Sequence, residues 1–347
     1  MNNETDDQSP DHHAPDAEPI QLAQPSALHK ILIGKDGLRA GWSLLIFIAL
    51  FAALIFSANA IGRKLYPPAP NTANAATDIS WQRGFIAESI PLLITLFVTW
   101  IMSKIERRPN SVYGFGGRRK LPYFLAGLTS GIICISLLIL ILVKTGLLVI
   151  DSRVLFGGNI VGYGSIWLLG FLLVGLNEEY LTRGYVQYTL TRGLAGLYHW
   201  AFKTRHSAAL GFWTSAVILS ILFGLSHTGN PNESPIGLLS AGLGGMVFCF
   251  SLWRTGSLWW AVGFHTSWDW GQSFLYGVAD SGLTIQHHLL ATHPVGKPLL
   301  SGGATGPEGS IFIVAILAVI ITIVLFTLPR AHYGQAARAF EISPPPA

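Results

Sequence analysis

Eight apolar stretches, each close to the length needed to cross a lipid bilayer, decide what this chain can fold into. They run roughly from Leu38 to Ile61, Gly84 to Ser103, Leu121 to Val143, Gly162 to Thr182, Ala208 to Ser226, Ile236 to Trp253, Ser257 to Val278 and Ser310 to Leu328. A helix needs roughly 20 apolar residues to span the hydrocarbon core, and soluble strands and helices rarely sustain such a run. Strands are excluded because the stretches are too long and lack strict alternation. Half of all residues are hydrophobic and only 12% are charged. The fold class is therefore all-α: a polytopic membrane protein of about eight transmembrane helices.

The formal net charge of +4 and the pI near 9.1 would suit a nucleic-acid binder, but the positions of the cations follow the membrane instead. Lys30, Lys35 and Arg39 precede the first span; Lys104, Arg107, Arg108, Arg118, Arg119 and Lys120 fill the second loop; Arg192, Lys203 and Arg205 follow the fourth span; Arg254, Arg330 and Arg338 continue the series. The alternate loops hold only Arg63, Lys64, Arg83, Lys144, Arg153 and Lys297. Cytoplasmic loops carry the excess of Lys and Arg, so both termini are expected to be cytoplasmic, and an even number of spans agrees. The expected partner is a lipid bilayer and not a nucleic acid, and the expected location is a cell membrane, read as a bacterial inner membrane.

Residues 1–37 read as a disordered cytosolic tail, 38–330 as the transmembrane domain and 331–347 as a short cytosolic tail. The first 25 residues lack an apolar core, so they do not read as a signal peptide, and His12 and His13 belong to a solvated tail. Cys134 and Cys249 fall inside spans as free thiols, with no CxxC metal motif. The last five residues contain no Cys, so the chain is not read as a prenylated substrate itself. Gly127 and Gly131 form a small-xxx-small pair suited to close helix packing.

Three polar points interrupt the apolar helices. In GLNEEYLTRGY, residues 175–185, Glu178 and Glu179 precede Arg183. Glu179 and Arg183 stand at i and i+4 with the carboxylate first, the favourable order for an ion pair on a helix. Glu178 points about 100° away from Glu179 and stays available. The fifth stretch ends in Phe223 and His227, one helical turn apart, before a Gly, Asn and Pro breaker. The seventh holds His265 and Asp269, again at i and i+4. Ionisable residues inside a span are costly and mark sites by default. A carboxylate can take a proton from water, and imidazoles can bind a metal, donate to an oxyanion or pass the proton on. Glu178, His227 and His265 also make a zinc shell with an open position for water, so metal dependence stays open. The HExxH spacing and a GxSxG elbow are both absent.

These residues resemble the CAAX prenyl protease type 2 and bacteriocin-processing group of intramembrane endopeptidases. Its members carry EExxxR, FxxxH and HxxxN or HxxxD on successive helices, here Glu178, Glu179 and Arg183, then Phe223 and His227, then His265 and Asp269. The resemblance covers about Gly162 to Val278. It implies a multi-helix enzyme that hydrolyses peptide bonds of a protein or peptide near the cytoplasmic side of the membrane. By the same analogy Glu178 activates water while His227 and His265 arrange water, metal or oxyanion. Asp269 stands where the eukaryotic prenyl-protein proteases have Asn. An ionised Asp cannot donate to an oxyanion, so Asp269 would orient His265, bind metal or be protonated. Glu179 and Arg183 take a supporting role. The competing readings are a non-catalytic scaffold or peptide self-immunity factor using the same polar cavity, and a proton-coupled transporter, for which no inverted repeat speaks.

Overall fold

The computed structural model describes residues 26, 31–34, 37–65, 78–116 and 119–329. The C-terminal tail and most of the N-terminal tail lie outside the described residues. Nine helices of more than one turn are used here: α1 Ala40–Leu65, α2 Trp81–Glu106, α3 Lys120–Lys144, α4 Gly158–Glu179, α5 Gln187–Phe202, α6 Ser207–Ser226, α7 Pro235–Thr255, α8 Trp259–Asp269 and α9 Ile313–Thr327. Their ends follow local chemistry. Ser80 and Ser234 cap α2 and α7 by accepting the backbone N–H of Arg83 and Gly237, and Pro235 occupies the first turn of α7, where its missing N–H costs nothing. Gly256 ends α7 in the left-handed region at φ +65°, which a side chain would resist.

The helix count departs from the sequence expectation. Among the described residues six helices are long and apolar enough to cross a membrane: 40–65, 81–105, 120–144, 158–202, 207–229 and 235–255. The last two expected spans are shorter. α8 has 11 residues and passes into a π-helical stretch, Trp270–Leu275, while α9 has 15 because residues 298–309 fold into separate short turns. The fourth span departs in the other direction. α4 continues without a break through π-helical turns, Tyr180–Val186, into α5, giving 45 residues that run past Arg192 to Phe202. At 1.5 Å per residue this rod is about 65 Å long, over twice a hydrocarbon core of roughly 30 Å.

α8 is the central strut. It runs alongside α3 and antiparallel to α4. The α3 contact uses the small residues noted in the sequence: a Cβ at Gly127 would overlap the Trp260 carbonyl oxygen, and one at Gly131 would overlap Phe264 and Ser267. Such close approach supplies dispersion contact where lipid offers no hydrophobic drive. α6 folds back on α5 and α7 returns along α6, so the three polar motifs reach one level.

Short strands close one end of the bundle. β1, Asp78–Ile79, pairs in parallel with β3, Thr284–Ile285, and β2, Leu148–Arg153, pairs antiparallel with β4, Leu290–Pro294. Trp167 donates its indole N–H to the Gln286 carbonyl, and Tyr163 stacks on His287 at 4.1 Å. Residues 279–309 are thus held as a cap against the N-terminal half of α4.

Candidate functional site

Glu178 and Glu179 close α4 side by side, yet their surroundings differ completely. The Glu179 side chain is fully buried, while that of Glu178 is 31% exposed. Arg183 Nη1 donates to Glu179 Oε1 at 2.7 Å, across the junction into the π-helical turns. The same oxygen lies 3.1 Å from His265 Nδ1. An ionised carboxylate only accepts, so in that state Nδ1 carries the proton and the opposite edge of the ring, Nε2, is turned toward Glu178 Oε2 at 3.7 Å and Asp269 Oδ2 at 3.5 Å. The reading of Glu179 as Arg183's partner, with Glu178 left available, matches this geometry. The sequence did not reveal that Glu179 also sets the orientation of His265.

Aromatic rings wall the ion pair off from the cavity. The Arg183 guanidinium carbon stands 4.1 Å over Phe223 and 5.5 Å from the Phe248 ring, a cation–π arrangement worth about 2 kcal/mol or more when desolvated. Phe223 meets His227 edge-on at 5.1 Å and His265 at 6.4 Å. His227 places Nδ1 2.8 Å from the Phe223 carbonyl oxygen, an acceptor, so the proton sits on Nδ1 and Nε2 is left unengaged. The breaker after His227 makes a tight turn, Asn230 and Asn232 donating to the carbonyls of Ser281 and Gly282 in the cap.

Glu178, His227, His265 and Asp269 open onto one cavity of about 380 Å³. Its apolar walls include Trp167, Phe171, Phe248, Trp268 and Leu317. Its polar lining adds three carboxylates absent from the motifs, Glu88, Asp280 and Glu308, and among the described residues no Lys or Arg. Glu88 comes from α2, where Asn177 Nδ2 donates to it at 3.5 Å. A lone carboxylate inside an apolar run was a signal that would have found it. Asp280 and Glu308 belong to irregular backbone in the cap and carried none. Glu308 accepts from Gln272 Nε2 and from the Ser281 backbone N–H. Burial pushes the Asp280 carboxyl up to about 6, against the pull of His265 and His227. Burial, followed by the charge of Asp280, holds Glu308 well above the usual carboxylate range.

A catalytic zinc would draw its ligands from the side chains lining this cavity. Among the described residues no three His, Cys, Asp or Glu side chains are arranged to hold a metal ion. Glu178, Asp269, His227 and His265 line the cavity, but Glu179 is committed to Arg183 and His265 Nδ1 to Glu179, and the remaining donors are not grouped as the three protein ligands a catalytic zinc takes. The side chains as arranged do not fit a preformed zinc shell.

Residues 161–271 match a family model described as Rce1-like, type II CAAX prenyl endopeptidase Rce1-like. The matched stretch takes in nearly all of α4, then α5 to α8, and contains all three polar motifs. No curated protein and no solved structure matches the chain.

Proposed function

From the match of residues 161–271 to the type II CAAX prenyl endopeptidase, Rce1-like family model, we propose that this chain hydrolyses peptide bonds within the membrane, with Glu178 as the base. The observation that carries the reading is the division of labour in the adjacent pair. Glu179 is sealed against Arg183 and His265, and Glu178 faces the cavity beside the Nε2 edge of His265.

In this mechanism Glu178 takes a proton from a water held between its carboxylate and His265 Nε2. The hydroxide oxygen attacks the carbonyl carbon of the peptide, and the carbonyl oxygen becomes an oxyanion. With Nδ1 of each ring already engaged, His227 and His265 donate to it from Nε2 in the imidazolium form. Glu178 then passes its proton to the amide nitrogen, the C–N bond breaks, and acid and amine products leave. Asp269 stands on the Nε2 edge of His265 and positions that ring. No step is routed through a metal.

The test compares newly formed peptide termini in membranes of cells making wild type or Glu178→Gln, an isosteric change. We expect the wild-type termini to fall by at least about 100-fold, the usual scale for losing a general base, with the variant still inserted and present at normal level. A chelator arm should leave the wild-type pattern unchanged. Equal cleavage by the variant overturns the reading. A phenotype that survives Glu178→Gln but is lost on placing Leu at Gly175, which packs on Thr266 and Val262 of α8, would mark a non-catalytic scaffold or self-immunity factor instead.

A further inference from the structure

The cavity extends from the reaction centre in one direction only. Along α4 its lining runs from Trp167 to Glu178, all on the side of Gly158; along α8 and the turns after it, from Phe264 to Ser273, toward the cap. α2 contributes Gly84 and Glu88 from its first turns, and α9 contributes Ile313 to Ile320 from its start. The cap lines this end with Asp280, Ser281 and Glu308.

In the other direction the centre rests on a solid floor. Tyr113, Tyr185 and Leu258 are fully buried and Tyr180 nearly so. Phe115 stacks on Tyr180 at 4.3 Å, and Leu258 N donates to the Gly114 carbonyl. Beyond that floor lie the basic ends: Arg108 donates to Tyr188, Arg192 reaches Glu106 and Ser43, and Arg254 donates to the carbonyls of Leu325 and Leu328. The excess of Lys and Arg marks that end as cytoplasmic.

From this juxtaposition, a cavity under the cap and an aromatic floor above the basic end, we propose that the site is reached from the extracytoplasmic side. Taken with the endopeptidase reading, on which this part rests, the substrate is a peptide segment exposed outside the membrane: an exported peptide, or the outer loop or tail of a membrane protein. This reverses the cytoplasmic access implied by family resemblance.

The test uses the full chain in right-side-out and inverted membrane vesicles with a membrane-impermeant sulfonated maleimide. Native Cys134 and Cys249 are buried and stay in place. Single cysteines are introduced as Ser226→Cys and Ser281→Cys in the cavity lining, and as Arg205→Cys at the basic end. We expect the first two to react in right-side-out vesicles and the last only in inverted ones. Reaction of Ser226→Cys and Ser281→Cys only in inverted vesicles, reaction of Arg205→Cys in right-side-out vesicles, or failure of both cavity positions to react from either side overturns the proposal. The labelling needs no catalysis and is repeated in the Glu178→Gln background, so it stands or falls separately from the endopeptidase reading. If that reading holds, termini dependent on Glu178 should map to extracytoplasmic segments, and their mapping to cytoplasmic ones would also overturn it.

Discussion

Glu179 shows how one buried carboxylate can organise a site without touching substrate. Its Oε1 faces both Arg183 and His265, and all three side chains lie in a region from which water is largely excluded. Removing one partner of such a pair leaves an uncompensated buried charge, so Arg183→Ala should cost about 3–5 kcal/mol of stability. Thermal unfolding in detergent measures this, and a change within experimental error would show that Arg183 is dispensable. Arg183→Lys should rescue it only partly, because an ammonium lacks the planar face that Phe223 and Phe248 cover. The i, i+4 spacing made this pair legible in the sequence. The second contact, to His265, was not legible because it joins two helices whose packing depends on the glycines between them.

At the scale of elements, both π-helical stretches begin directly after a carboxylate of the polar motifs, at Tyr180 after Glu179 and at Trp270 after Asp269. Such turns are frequent at functional sites, since the extra residue turns the following helix relative to the preceding one. The cap is the other element with a consequence of its own. Asp280 is raised to about 6 and Glu308 well above its usual range, so the folded cap binds protons that the opened cap releases. A raised carboxyl makes the folded state more stable at low pH, and that contribution is lost as pH rises from about 4 through 6 and beyond. Amide exchange across residues 279–309, corrected for its intrinsic pH dependence, should therefore show stronger protection at pH 5 than at pH 7.5. Asp280→Asn should flatten the difference. Equal protection at both pH values would detach these carboxyls from cap stability.

The whole molecule is organised around the long helix from Gly158 to Phe202, which carries the site near its middle and links the cap to the basic end. Spin labels at Gly158→Cys, where an added Cβ meets nothing, and at exposed Phe202→Cys should lie about 60 Å apart if the rod is continuous, allowing for bend at the π-helical turns. A distance below about 40 Å would mean that the helix folds back within residues 180–186. This continuity also removes an apparent conflict in the sequence, where Glu178 falls near one end of its apolar stretch and His227 near the opposite end of the next. With α6 packed antiparallel along α5, Phe223 and Arg183 come into contact, and Glu178 and His227 line one cavity.

The sequence by itself determined the helical membrane class, the charge asymmetry of the two ends and the residues of the three motifs. The physical reason is that lipid solvation and i, i+4 contacts are conditions on neighbouring residues, readable without a fold. Only the tertiary structure decided how His265 is oriented, that Glu88, Asp280 and Glu308 join the cavity, and toward which end it extends. Those features depend on contacts between distant segments, such as Asp78 with Thr284 and Gly131 against Phe264. No local pattern encodes such contacts, because they follow from how small residues let helices approach and from which loop then has room to close the end.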